Sequence, residues 1–385
     1  ADGTVAAWGH NADGQTDVPA GLTDVVAIEG QASASLVIRA DGTVVGWGRG
    51  IAGQARPPVV VRDLQAVSAG NQHTLALNGD GTVSAWGLNT SGQTDVPSGL
   101  TDVVAVSAGI DASMALRSDG TVAEWGSHSP KQPDGLAGVV EIAAGGFALM
   151  ALRADGAVFT WGRQRIDIVP PAELSEAIAI SAGAQHGLAL RSDGTVVGWG
   201  NDRYGETAPP PSLTDVVAIE AATWYSLALR ADGTVVGWGR NDNGEASPPP
   251  GLTDVVAIDS WGACSLALRA DGTVVGWGAS WCEGTPDGLS NVVALAAGGS
   301  RVIALTGSIA TASVVVAGDR GVRYLGPPAE GLTVDDLAAQ NLVRGVPGYY
   351  ASNPNPTLWT DYDPVAGTWV PSAGTGEELA LGHAF

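Results

Sequence analysis

The octapeptide DGTVVGWG stands at residues 41–48, 193–200, 232–239 and 271–278, and close variants begin at Asp2, Asp80, Asp119 and Asp155. Trp-Gly pairs therefore recur at Trp8, Trp47, Trp86, Trp125, Trp161, Trp199, Trp238 and Trp277, spaced 36 to 39 residues apart. A period of that size belongs to solenoids and propellers, whose units bury their apolar faces only against one another. One unit, residues 214–250, reads TDVVAIEAATWYSLALRADGTVVGWGRNDNGEASPPP. It divides into the β-branched run TDVVAI, the alternating run SLALR and the run TVVGW, each short enough for a strand. The Asp-Gly pair between the last two is hairpin chemistry, expected as a type I′ turn with positive φ at both central residues. A fourth, edge strand is expected near the Gly-Gln/Glu-x-x-x-Pro stretch, because an edge tolerates proline. Helical repeats are excluded: no window shows i, i+3, i+4 spacing, and Gly and Pro interrupt every helix-length stretch.

Four antiparallel strands per unit make a propeller blade. The DVVAI…SLALR half occurs eight times, near 23, 64, 101, 137, 176, 214, 253 and 290, and the hairpin half also occurs eight times. The two halves are out of phase at the ends, with residues 2–18 opening the chain and 290–307 ending the repeat. The expected fold is all-β: a β-propeller of eight four-stranded blades over 1–307, closed by pairing of the N-terminal strands with the last blade. An open ring would leave two unpaired edges. Residues 308–385 are expected to form a small C-terminal extension.

A hydrophobic content of 45% is expected to supply a core without help from metal or disulfide, and the 55 glycines follow the repeat as structural punctuation. The net charge is −22, with 17 Arg against the single Lys131. Such a surface repels phosphate backbones, so no nucleic-acid partner is expected. No apolar run approaches the roughly 18 residues of a membrane span, so no membrane insertion is expected. The opening Ala-Asp-Gly fits removal of an initiator Met as well as cleavage of a signal peptide, with the first favoured because Asp2-Gly3 already belongs to a repeat.

AGNQHTLAL at 69–77, AGAQHGLAL at 182–190 and the Asp-Gly…Trp-Gly hairpins resemble the regulator-of-chromosome-condensation propeller family, over residues 1 to about 307. The short unit is most similar in style to the bacterial propellers that inhibit β-lactamases. Those relatives usually have seven blades, so eight is a departure. The chromosome-associated members act as nucleotide-exchange factors or chromatin binders, but this chain is acidic and has no basic arm, and fold alone does not fix function.

In a blade of strands A to D, the A–B and C–D loops emerge at one face and the B–C and D–A connections at the other. The B–C turn stays Ala/Ser-Asp-Gly and the D–A connection returns to Pro-x-Gly-Leu-Thr-Asp, whereas the A–B and C–D loops change in every blade. Recognition is expected on the face that varies. Phe147, Tyr204, Trp224, Tyr225, Trp261 and Trp281, with Arg163, Arg165, Arg203 and Arg240, crowd this face in consecutive blades. Aromatics and Arg dominate binding hot spots. Trp224 and Trp261 could alternatively fill gaps between blade tops, while the Trp-Gly tryptophans are expected to pack between blades. Cys264 and Cys282 fall in A–B and C–D loops of one blade, either as a disulfide within bridging reach or as two free thiols.

No catalytic constellation stands out. His73 and His186 share a repeat position and are expected to serve packing or hydrogen bonding, without a distinctive nucleophile or acid beside them. NDRYGE at 201–206 and RNDNGE at 240–245 lack calcium-loop spacing. No enzymatic activity, cofactor or metal is expected.

After Gly307 the repeat stops. Two short strands are expected around Gly318-Asp319, a helix capped by Thr333 and a hairpin between Asp363 and Gly367. This extension holds Tyr324, Tyr349, Tyr350, Trp359, Tyr362, Trp369 and Phe385, read as an assembly anchor. The expected function is a non-catalytic recognition or structural protein on a larger assembly, a phage virion surface, as a capsid decoration or tail protein. Capsid or tail subunits would bind through 308–385, and a host surface protein or glycan through the variable face. A secreted propeller that binds or inhibits another protein is the alternative.

Overall fold

The computed structural model describes residues 3–30, 34–50, 52–58, 64–127, 131–162 and 168–307, with the strand backbones of 359–363 and 368–371. The β-branched, alternating and Trp-Gly runs each become one strand. In the unit quoted above these are Val216–Ala221, Tyr225–Arg230 and Val235–Gly239, paired in that order into an antiparallel sheet. Seven such sheets follow along the chain, over 25–48, 64–87, 103–126, 139–162, 177–200, 216–239 and 255–278, here the first to seventh. An eighth consists of Val292–Gly298, Arg301–Thr306 and the N-terminal strand Thr4–Gly9. Thr4 pairs with Thr306 and Gly9 with Arg301, so the two ends of the repeat share one sheet. The described residues contain no helix.

Side chains alternate across a strand, and each middle strand uses both faces. Leu227 and Leu229 pack with Ile258, Ala267 and Trp277 of the seventh sheet, while Ala228 packs with Leu188 and Leu190 of the fifth. The same holds for each sheet and its neighbour. Where the eighth meets the first, Ile303 and Leu305 pack against Ile28, Val37 and Trp47.

Polar contacts reinforce these cores at one recurring point. The indole N–H groups of Trp47, Trp86, Trp125, Trp238 and Trp277 donate to the carbonyls of Gln15, Gln54, Gln93, Glu206 and Glu245, at 2.9–3.0 Å. Each acceptor lies in the loop that follows the last strand of the preceding sheet. Four of these carbonyls also accept a hydroxyl, from Ser35, Ser113, Ser226 and Ser265. The Trp-Gly tryptophans thus pack between sheets, as expected, and are 4–8% exposed.

Two expectations need correction. The Asp-Gly turns are not type I′. Gly42 N–H donates to the Arg39 carbonyl and Arg39 N–H to the Thr43 carbonyl, and only Gly42 has positive φ, at 74°. This is the three-residue hairpin, a type I turn followed by a left-handed residue. Asp41 supports it by accepting both the amide and the hydroxyl of Thr43, which hold its carboxyl below the usual range.

The fourth strand does not form in any of the eight repeat sheets; each has three. The loop 240–250 shows why. Asn241 Oδ1 accepts the Ala246 amide, Glu245 Oε2 the Asn243 amide, and the Gly244 and Ser247 amides close local turns. Side chains and turns take the donors that a ladder would need, and Pro248 to Pro250 have none to give.

In the extension, Trp359–Asp363 pairs with Thr368–Pro371 as the expected hairpin. The expected strands around Gly318 and the helix after Thr333 lie outside the described residues.

Replacing Trp125 by Phe removes one buried hydrogen bond and should lower stability by about 1 kcal/mol. Trp125→Ala also opens a cavity and should cost about 3–5 kcal/mol. Urea unfolding would separate the two, and an unchanged stability in Trp125→Phe would mean that the indole N–H contributes nothing.

Candidate recognition face

Backbone bonds separate the two ends of the sheets. At one end, the residue after each third strand bonds the loop between the first two: Leu88 N–H to Gln72, Asn201 to Gln185, Arg240 to Trp224 and Ala279 to Ala263. At the other end, the Asp-Gly turn of one sheet receives the start of the next, as in Val103 N–H to Gly81 and Val216 to Gly194. The varying loops therefore share an end, and the repeated turns share the opposite one.

Not every variable position is exposed. Tyr225, expected as a contact residue, is fully buried. It is the first residue of a middle strand, and its hydroxyl donates to the Cys264 carbonyl at 2.7 Å and lies 2.8 Å from Ser265 Oγ. Burial pushes its pKa up. The same register holds His73, His186, Cys264 and Arg301, all buried. His73 and His186 place Nε2 at 2.9 and 3.0 Å from Ser113 and Ser226 Oγ in the next sheet. Those serines give their only proton to the Gln93 and Glu206 carbonyls, so each histidine is the donor. Arg301 of the eighth sheet donates to Ser35 Oγ (2.6 Å) and to the Ala34 carbonyl of the first. This register is an inter-sheet zipper whose side chains differ while their direction does not.

Cys264 and Cys282 form a disulfide, with Cα atoms 5.5 Å apart. Cys264 occupies the zipper register, and the Cys282 carbonyl receives the Trp8 indole at 3.4 Å. The bridge thus secures the loop that takes the N-terminal strand's tryptophan.

The remaining expected contacts divide. Phe147, Trp261 and Trp281 are half-buried, and the two tryptophans pack on the core between the seventh and eighth sheets. Arg163, Arg165, Tyr324, Tyr349 and Tyr350 lie outside the described residues. Of Trp359, Tyr362 and Trp369 only backbone is described, Tyr362 opposite Trp369. Tyr204 and Trp224 do come together. Their rings meet edge to face at 6.1 Å and 69°, with Arg203 5.4 Å and Arg240 5.8 Å from the centre of the Tyr204 ring. Tyr204 is 40% exposed. Gly239, at φ 99°, permits this meeting: a Cβ there would lie 3.0 Å from the Trp224 carbonyl and 3.1 Å from Glu206 Cα.

Beneath the cluster lie two residues that the sequence reading passed over, Glu206 and Glu245, both buried. Their position in the repeat is Gln15, Gln54 and Gln93 in earlier blades, and a Gln-to-Glu change at a fixed register was the available signal. Arg240 donates from Nε to Asp242 at 2.7 Å and lies 3.9 Å from Glu245 Oε1. Among the described residues no group of three or more His, Cys, Asp or Glu could hold a metal ion, and no helix is long and apolar enough to cross a membrane.

The model of the regulator of chromosome condensation (RCC1) repeat matches residues 65–93, 177–206 and 216–245. No curated protein matches the chain. Solved structures of similar fold include Prp20p from Saccharomyces cerevisiae, at 17% identity and a TM-score of 0.54, covering 79% of this chain and 91% of that one. Human WBSCR16 is 18% identical with a TM-score of 0.53, covering 80% and 99%. The CRINKLY WD40 ectodomain of the Arabidopsis thaliana receptor kinase ACR4 is 20% identical with a TM-score of 0.52, covering 68% and 98%. The chain thus carries RCC1-like repeats in an all-β fold similar to RCC1-type propellers.

Burial lowers the His73 pKa from 6.5 to about 4. The unfolded chain binds a proton in that window and the folded chain does not, so stability should fall as pH drops from 6.5 to 4, by about 3 kcal/mol in all. Urea midpoints at pH 7, 5.5 and 4 check this, and His73→Gln should flatten the slope.

Proposed function

We propose that the eight sheets form one closed, eight-bladed ring, and that the ring is a non-catalytic module that recognises a protein through its variable end. Two observations support closure: the strand pairing of Thr4–Gly9 with Arg301–Thr306, and the core and Arg301 contacts between the eighth and first sheets. The observation that carries the function is the Tyr204–Trp224 pair flanked by Arg203 and Arg240. Side chains of this kind dominate protein-binding hot spots. The Prp20p structure is described together with its binding to Gsp1p and histones, and protein binding as a class is what is carried over here.

On this reading residues 308–385 anchor the ring to a larger assembly, a phage virion surface as capsid decoration or tail protein, with the variable end outward. One observation favours a free secreted binder instead: the Cys264–Cys282 disulfide, a bond that persists in oxidising surroundings. Whether the native protein sediments with particles or alone decides between the two settings.

Trp224→Ala and Tyr204→Ala should each weaken partner binding by about 2 kcal/mol, roughly 30-fold, with the thermal midpoint little changed. Calorimetric titration checks this, and an unchanged affinity removes the cluster from the site.

A further inference from the structure

Glu206 and Glu245 occupy equivalent positions in neighbouring blades and differ in one respect. Each accepts the amide two residues before it on one carboxylate oxygen, Glu206 from Tyr204 at 2.6 Å and Glu245 from Asn243 at 2.7 Å. The second oxygen of Glu245 has a cation nearby, the Arg240 guanidinium, five residues earlier in the chain. The residue five before Glu206 is Asn201. Its side-chain amide donates to Gln185 Oε1 and its oxygen accepts the Arg203 amide. Glu206 Oε1 is left buried without a partner, in a residue with no exposed surface.

A buried carboxylate oxygen without a donor is costly, which makes its retention informative. After the third strands of the eighth, first and second sheets glutamine fills the position and Oε1 accepts the same amide, from Asp13, Ala52 and Ser91. Glutamine therefore suffices for the turn, and the extra charge at Glu206 has no structural use. Around it stand the exposed Asp202, Arg203 and Tyr204, then Trp224 and the Arg240–Asp242 pair. Asp202, Glu206, Asp242 and Glu245 thus bring four carboxylates to two neighbouring loops that carry two guanidiniums, on a chain whose net charge is −22. Electron-rich ring faces attract cations, as Arg203 and Arg240 already show at Tyr204.

Resting on the recognition face proposed above, we propose that Glu206 Oε1 is the acceptor for a primary ammonium, the tip of a lysine on a basic protein partner. The exposed 202–204 turn covers Glu206, so the ammonium reaches Oε1 by displacing that turn and is then flanked by Tyr204 and Trp224. It takes the place that Arg240 holds beside Glu245. The surrounding acidic field steers such a partner inward.

A decalysine peptide in 150 mM salt tests this on the full chain, by calorimetry and by Trp fluorescence. Glu206→Gln should bind it at least fivefold more weakly while its thermal midpoint stays equal or rises, since glutamine fits this position in three other blades. Glu173→Gln, an equal change of charge at an exposed site in the connection at the opposite end, should alter binding less than twofold. No decalysine binding, or equal losses in the two variants, overturns the ammonium site. Preference for decaglutamate or a neutral oligosaccharide also overturns it. If that binding is lost in Trp224→Ala, the recognition face survives with a different ligand; if it is retained, the face falls as well.

Discussion

At five of the junctions between sheets, one backbone carbonyl holds the neighbours together. It belongs to the Gln or Glu that ends the loop after the third strand, and it accepts an indole N–H and often a serine hydroxyl from the next sheet. A three-stranded sheet this small has too little apolar area to persist alone, so its stability comes from its neighbours. The tryptophan contributes apolar area and direction at once: its ring fills the inter-sheet core while its N–H fixes how far one sheet can slide over the next. The buried ring recurs at all eight Trp-Gly pairs, and five of them add the carbonyl bond, while Trp161 donates instead to the Glu124 carboxylate.

The zipper register obeys a second constraint. His73, His186, Tyr225, Cys264 and Arg301 differ in size, charge and chemistry, yet each is buried at the start of a middle strand. Four of them reach a partner in the next sheet, and Cys264 instead bonds Cys282 within its own blade. Variation here reflects several solutions to one packing problem. The sheet that joins the chain ends has a buried guanidinium in one gap and a disulfide beside the other. Burial lowers the pKa of Arg301 to about 9, the expected direction for a cation held away from water.

At the variable end, one cluster rises clear of the packing. Tyr204, Trp224, Arg203 and Arg240 come from three loops on two adjacent sheets, and they meet above two carboxylates in glutamine positions. A protein built from near-identical units can specialise one place only by departing from its repeat, and here several departures coincide.

Much of the architecture was legible in the sequence because it is written in local chemistry: β-branched runs for strands, Asp-Gly for hairpins, a period of about 39 residues for successive sheets. The out-of-phase ends announced the pairing of Thr4–Gly9 with Arg301–Thr306. The turn type and the missing fourth strand were not legible, since side-chain bonds from residues such as Asp41 and Asn241 decide them. Nor could the sequence separate Trp224 from Tyr225. The two are adjacent aromatics, and strand alternation together with the neighbouring sheet turns Tyr225 into the core while Trp224 stays half-buried near Tyr204. Periodicity depends on neighbours along the chain and can be read from one strand of letters; burial depends on neighbours across it, which exist only after the sheets have packed.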